Sequence, residues 1–218
     1  MKQQNNISEL VFILDRSGSM SGLVDDTVGG FNAMIEEQKG KEGRCLVTTV
    51  LFDNEAQMLH DRVPLEDVRP MTRGDYRVGG CTALLDALGE TIRHVAGIHR
   101  YARPEDVPEK TVFIITTDGM ENASRRYGSE EVRRRIEHEK EKYGWEFLFL
   151  AANIDAVETA ARYGITRDRA ANFRADSRGS RVLYETVNRA VSEMRFSAAP
   201  LSADWAAPLD EDMKKRGK

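Results

Sequence analysis

An acidic residue followed by two alternating hydroxyls, Asp15, Ser17 and Ser19, closes the hydrophobic run Val11, Phe12, Ile13, Leu14. A second carboxylate, Asp118, follows Thr116 and Thr117 and precedes Gly119. A third hydroxyl, Thr82, sits behind Gly79, Gly80 and Cys81 and ahead of Ala83 and Leu84. These groups offer only oxygen donors, which suits a hard cation such as Mg2+ (or Mn2+). Such an ion prefers octahedral geometry at roughly 2.0 to 2.1 Å and often retains waters. Zinc and copper fit the set poorly. Gly18 is expected to permit the sharp turn between the two serines, and Gly79 and Gly80 a close approach of backbone to the ion. Two carboxylates neutralise a divalent cation and the three hydroxyls add no charge. The ion therefore stays electrophilic enough to attract a further carboxylate from outside.

For these segments to meet, each must end a strand or begin a helix at one edge of a sheet. Short β-branched and aromatic runs alternate with longer amphipathic segments, which predicts βαβ units and an α/β, doubly wound, mostly parallel six-stranded sheet with helices on both faces. The first strand is expected at 9–15 and a helix at about 22–39, with Val24, Val28, Phe31 and Ile35 on one stripe. Strand-like runs at 44–53 and 56–65, joined by Asn54 and Glu55, predict a hairpin whose second strand is the one antiparallel edge strand. A helix over 83–100 carries Leu84, Leu88, Ile92 and Val95 on one face, and 110–118 reads as a buried central strand. Ser129 is placed as the cap of a charged helix at 130–143, a strand follows at 145–151, and Asp155 caps a short helix. A last strand near 171–174 and a helix at about 179–194 complete the set. In such sheets ligands bind at the carboxyl edge, where the strand order reverses and Asp15 and Asp118 would face each other.

These three segments, in this order, resemble the von Willebrand factor A family and its metal-ion-dependent adhesion site. The resemblance covers roughly residues 8 to 195. The family's Asp-x-Ser-x-Ser is met by Asp15, Ser17 and Ser19, its threonine by Thr82 and its second aspartate by Asp118. It implies that the metal keeps one coordination position open for an acidic side chain of a partner.

Hydrophobic residues make up 40% of the 218-residue chain and charged residues 31%, so one domain over 1–196 can bury a full core. Residues 197–218 shift to Ala, Pro and Ser and end in Lys214, Lys215, Arg216 and Lys218, a composition that predicts a loosely attached, flexible tail in which Trp205 is the one anchor. The net charge of −4 argues against a general polyanion binder, and nucleic acid is not an expected partner. The stretch Met1 to Leu10 is polar and the apolar run Leu10 to Leu14 too short for a signal or membrane span, so a cytoplasmic protein without membrane attachment is expected. Cys45 and Cys81 belong to no Cys-x-x-Cys pair, which predicts reduced thiols.

Competing readings of single residues are simple. Asp15 and Asp118 could be turn residues and Ser17 or Ser19 a helix cap. Cys81 is expected to be a small buried or packing residue, and His60, His94, His99 and His138 are scattered and assigned to no catalytic role. Arg125, Arg126, Arg133, Arg134 and Arg135 interleave with glutamates and read as a salt-bridged solvent face. Arg16, Arg73 and Arg77 lie in loops at the metal edge, where they would steer an acidic ligand or merely solubilise the surface. Glu121 and Asn122 either hold metal waters or form a capped turn. The leading function is a metal-dependent protein-binding adaptor, not an enzyme, whose partner presents an Asp or Glu; the family's intracellular members add an ATP-driven machine as a partner. The alternatives are a Mg2+-dependent phosphohydrolase, for which no carboxylate stands two residues after Asp15, and a nucleotide-binding protein using the same edge, for which no Gly-x-Gly-x-x-Gly follows the first strand.

Overall fold

Runs such as Leu10 to Leu14 and Val112 to Ile115 are apolar on both sides of the strand, the pattern of a sheet covered on both faces. A computed structural model, which describes residues 6–216, shows that sheet. Its strands are β1 (Ile7–Asp15), β2 (Arg44–Phe52), β3 (Ala56–Pro64), β4 (Lys110–Thr117), β5 (Glu146–Ala151) and β6 (Ala170–Asn172). The order across the sheet is β3-β2-β1-β4-β5-β6, with every pair parallel except β2 and β3. The chain runs outward from β1 to β3, then crosses back to add β4 on the other flank of β1. The strand order therefore reverses between β1 and β4, and Leu14 lies opposite Thr116 there.

Six α-helices cover the two faces among the described residues: α1 (Val24–Lys39), α2 (Leu84–Tyr101), α3 (Ser129–Tyr143), α4 (Ala156–Arg162), α5 (Ser177–Phe196) and α6 (Ala207–Lys215). The alternation of each strand divides the core. Leu10, Phe12 and Leu14 of β1 pack with Phe31 and Ile35 of α1 and with Leu183, Val187 and Val191 of α5. Val11 and Ile13 turn the other way, toward Leu88 and Ile92 of α2 and Val132 and Ile136 of α3. The expected stripe on α1 is present, with Phe31 and Ile35 buried and Val24 and Val28 packed on its margin.

Three local expectations need correction. Ser129 is the first helical residue of α3; Gly128 occupies the cap position and no side chain caps it. Asp155 does cap α4, accepting from the Glu158 N–H at 2.9 Å, and Asp176 caps α5 in the same way through the Gly179 N–H. Gly18 does not adopt a left-handed backbone, so the turn between the serines does not need glycine for its dihedral angles. The segment after Ser197, expected to be loose, folds back: Leu201, Trp205 and Leu209 are buried in the α1/α5 side of the core. Trp205 is its anchor, its indole N–H donating to the Asp168 carbonyl at 2.8 Å. Lys218 and the first five residues of the polar N-terminal stretch lie outside the described residues. No helix among those described is long and apolar enough to cross a membrane.

Candidate metal centre

Each of the five expected ligands is carried to the carboxyl edge by a strand end or the loop after one. Asp15 is the last residue of β1, Ser17 and Ser19 lie in the turn after it, Thr82 stands two residues before α2, and Asp118 directly follows β4. Asp15, Ser17, Thr82 and Asp118 are buried, while Ser19 is exposed. The adjacency of β1 and β4 brings the two aspartates to one point. The Ser19 hydroxyl donates to Asp118 Oδ1 at 2.5 Å and stands 3.1 Å from the Ser17 hydroxyl. The Thr82 and Ser19 hydroxyls each lie 3.9 Å from the place a Cβ on Gly119 would take, so the Thr82 loop converges on the same point.

The Asp15 carboxylate is fixed on both oxygens. Oδ1 accepts the Ser17 N–H at 2.7 Å and Oδ2 accepts the Thr117 hydroxyl at 2.6 Å. Burial pushes its carboxyl up, hydrogen bonds from Thr117 and Ser17 pull it down, and the neighbouring Asp118 charge pushes it up again. Neither Asp15 nor Asp118 forms an ion pair among the described residues; Arg16, the nearest cation in sequence, is bound to Asp53 at 2.9 Å. Two facing, buried carboxylates without a compensating side-chain cation, flanked by three hydroxyls, fit a hard divalent ion. No three His, Cys, Asp or Glu side chains cluster to hold a metal among the described residues, so a cation here would depend on hydroxyl as well as carboxylate oxygens.

Two residues that hold the ligands, Tyr76 and Asn153, were not singled out from sequence, while Gly80, Glu121 and Asn122 were and take the places described next. Tyr76, buried in the loop before α2, donates its hydroxyl to the Asp15 carbonyl. Asn153, in a left-handed backbone after β5, donates to the Asp118 carbonyl at 3.2 Å. Gly80, with φ +70, turns its carbonyl to accept the Gly18 N–H at 3.1 Å, stapling the serine turn to the Thr82 loop. A Cβ at Gly80 would also meet the Asn54 side chain at 2.9 Å. Asn122 grips Thr82 from both sides, accepting its N–H at 3.0 Å and donating its own to the Thr82 carbonyl at 3.1 Å. Glu121 caps the start of α2 through the Leu85 N–H and orders the turn at Ala123 and Ser124.

The competing readings resolve in the same coordinates. Ser17 precedes a short 3-10 turn but makes no side-chain cap. Cys81, expected to be buried, is exposed beside Thr82, its N–H held by Asn54. Arg16 and Arg73 are paired with Asp53 and Asp25, so neither is a free steering charge. On α3, Arg133 pairs with Glu137 and Arg135 with Glu131, as expected of a salt-bridged solvent face.

No protein-family model and no curated protein matches the sequence. Solved structures match its fold. A mutant of the PilB minor pilin from Streptococcus sanguinis aligns with a TM-score of 0.61 at 11% identity over 92% of this chain and 65% of its own. A von Willebrand factor type A protein from Catenulispora acidiphila aligns with a TM-score of 0.55 at 12% identity, over 84% of this chain and 42% of its own. Proximal thread matrix protein 1 from the mussel byssus, with a zinc-occupied MIDAS motif, gives 0.55 at 14% identity, over 84% and 45%. The chain thus has the von Willebrand factor A fold, and it spans about two thirds of the first of these proteins (65%) and under half of the other two. Similarity at this level carries the fold, while function must be argued from the site.

Proposed function

We propose that the chain is a metal-dependent protein-binding module in which Asp15, Ser17, Ser19, Thr82 and Asp118 hold one Mg2+ or Mn2+ ion that accepts an acidic side chain of a partner. The observation that carries this reading is the convergence of two carboxylates and three hydroxyls, with no counter-cation among the described residues, at the point where the strand order reverses. The zinc in the MIDAS motif of the mussel protein supports a divalent ion at this edge of the fold. Zinc was expected to suit the donor set poorly, so the preferred ion is decided by titration.

When bound, the metal supplies a Lewis-acidic position for a carboxylate. The protein's residues do the rest: Thr117 and Ser17 N–H orient Asp15, Asn122 orients Thr82, and the exposed Ser19 marks the side from which a ligand arrives. A binding module is preferred to a phosphohydrolase because the position two residues after Asp15 is Ser17, whose backbone N–H caps Asp15, and a hydroxyl there cannot serve as the acid/base. Free Cys45 and Cys81 are in keeping with a reducing, cytoplasmic setting for this module. An ATP-driven assembly belongs to the same reading as one class of partner.

The test is a pair of short peptides differing only in Asp against Asn, titrated into the protein with Mn2+ and again with EDTA. The reading predicts saturable binding of the Asp peptide alone, lost in EDTA. Equal binding of both peptides, or turnover of a phosphate ester at the same site, would overturn it.

A further inference from the structure

Helices α2 and α3 begin at the metal edge and end where β4 and β5 begin, at the opposite edge of the sheet. They lie on one face, sharing the core of Leu88, Ile92, Val132 and Ile136, and leave between their last turns a surface groove of about 730 Å3. Its two walls carry cations in step. Arg100 and Lys142 are each the penultimate residue of their helix, and Arg93 and Arg135 each stand seven residues earlier. At 1.5 Å of rise per residue, the two cations of a wall are about 10 Å apart.

Cations gather at helix C-termini through the dipole, which accounts for Arg100 and Lys142. That effect is confined to the last turn and does not reach Arg93 and Arg135, two turns further in. Arg135 is paired with Glu131 at 2.8 Å. Arg93, Arg100 and Lys142 are exposed and have no carboxylate partner among the described residues. The carboxylate that lines the groove, Glu139, is 7% exposed and forms no ion pair among the described residues. Burial pushes its carboxyl up, against the pull of His138, His99, Lys142 and Arg135, so it neutralises its neighbours poorly. The groove is thus electropositive in a chain whose net charge is −4, and the repulsion between its facing cations is relieved by an anionic occupant.

The shape of the groove narrows the choice of anion. Nothing lies within 4 Å of the place a Cβ on Gly97 would take, so a neighbouring side chain can drop onto the floor between Arg93 and Arg100. Tyr101 and Tyr143 stand at its end, 83% and 55% exposed, with the Arg100 and Lys142 cations 5.7 and 5.1 Å from their ring centres. Tyrosine and arginine are the residues enriched where protein interfaces hold most of their energy. A channel between two helices accepts a third laid along it, and carboxylates seven positions apart on such a helix reproduce the spacing of about 10 Å between Arg93 and Arg100. We propose that this groove docks an acidic amphipathic helix of a partner protein, with two carboxylates seven positions apart at Arg93 and Arg100 and an apolar residue midway between them over Gly97. The groove lies at the edge away from the metal centre, so either reading can fail without the other.

The probe is an alanine-rich helical peptide with two glutamates seven positions apart and a leucine midway, titrated into the isotope-labelled full chain and followed by amide NMR shifts. The chain is first stripped of metal on a chelating resin, so that carboxylates have no ion to bind. Saturable shifts centred on Gly97 and the last turns of α2 and α3 are expected, weakening as salt is added. The same peptide with glutamines should bind about tenfold more weakly, in line with the loss of two exposed ion pairs. Arg93→Glu combined with Arg100→Glu should lose the glutamate peptide by a similar factor and gain a peptide with lysines in its place, a gain that only a folded groove can give. Absence of saturable shifts, shifts centred elsewhere, equal binding of the glutamine peptide, or no exchange of preference in the double variant would each overturn the proposal. Tighter binding of phosphatidylserine vesicles or of a single-stranded oligonucleotide than of the peptide would overturn it too, making the groove a general polyanion surface.

Discussion

Tyr76 and Asp75 sit side by side in the loop before α2; Tyr76 holds the metal edge through the Asp15 carbonyl, and Asp75 holds the loop itself through Arg69 and Thr72. Tyr76→Phe removes the donor to the Asp15 carbonyl inside the core, and a buried carbonyl left short of a partner costs roughly 1–3 kcal/mol. The expected outcome is a lower midpoint in denaturant and a weaker metal, both read on the same sample. Asp75 ties its loop together through Arg69 and Thr72, and the Arg69 and Thr72 hydrogen bonds hold its carboxyl down at about 2, against an ordinary 3.8. Because the folded value lies below the unfolded one, this contribution is complete above about pH 4 and is lost as pH falls through about 2. Asp75→Asn should therefore lose roughly 1 kcal/mol at neutral pH and converge on the wild type at the acid end, as followed by chemical denaturation across pH. The five oxygen ligands were legible in sequence because their types and spacing are themselves the chemistry. Tyr76 and Asn153 were not, because each acts on a residue more than thirty positions away and only the closed sheet brings the pairs together.

Adjacent glycines on α1 make opposite predictions. A Cβ on Gly30 would lie 2.2 Å from the Tyr184 ring of α5, whereas nothing lies within 4 Å of one on Gly29. Gly30→Ala should destabilise by about 1–3 kcal/mol through overpacking, and Gly29→Ala should stabilise by roughly 0.5–1 kcal/mol through helix propensity. Thermal melting of the two variants checks both signs. The helices and strands were legible because their apolar positions follow periods of 3.6 and 2, which fixed α1 and the antiparallel edge strand β3 correctly. The signal was weaker for terminal detail. Gly128 at the cap of α3 in place of Ser129, and Asp176 at the cap of α5, are set by how the preceding loop arrives, which no periodicity records.

On the scale of the molecule, the C-terminal segment joins the core despite a composition that reads as a loose tail. Its average polarity hides three apolar residues, Leu201, Trp205 and Leu209, each 4% exposed or less. Trp205→Ala should cost about 3–5 kcal/mol, the range for deleting a large buried aromatic side chain, and a denaturant curve would show it; a change within 0.5 kcal/mol would mean the segment contributes nothing to stability. The metal centre depends on the whole fold in the same sense, since its ligands come from three separated stretches, two brought together by the pairing of β1 with β4 and the third tied to them through Gly18 to Gly80 and Asn122 to Thr82. The most direct test of the account is calorimetric titration of Mg2+ and Mn2+ into the wild type, Asp15→Ala and Asp118→Ala, followed by acetate. One saturable site in the wild type, lost in both variants and tightened by acetate, is the predicted result. Wild-type binding no stronger than that of the variants would contradict the assignment of this edge as a metal-dependent binding site.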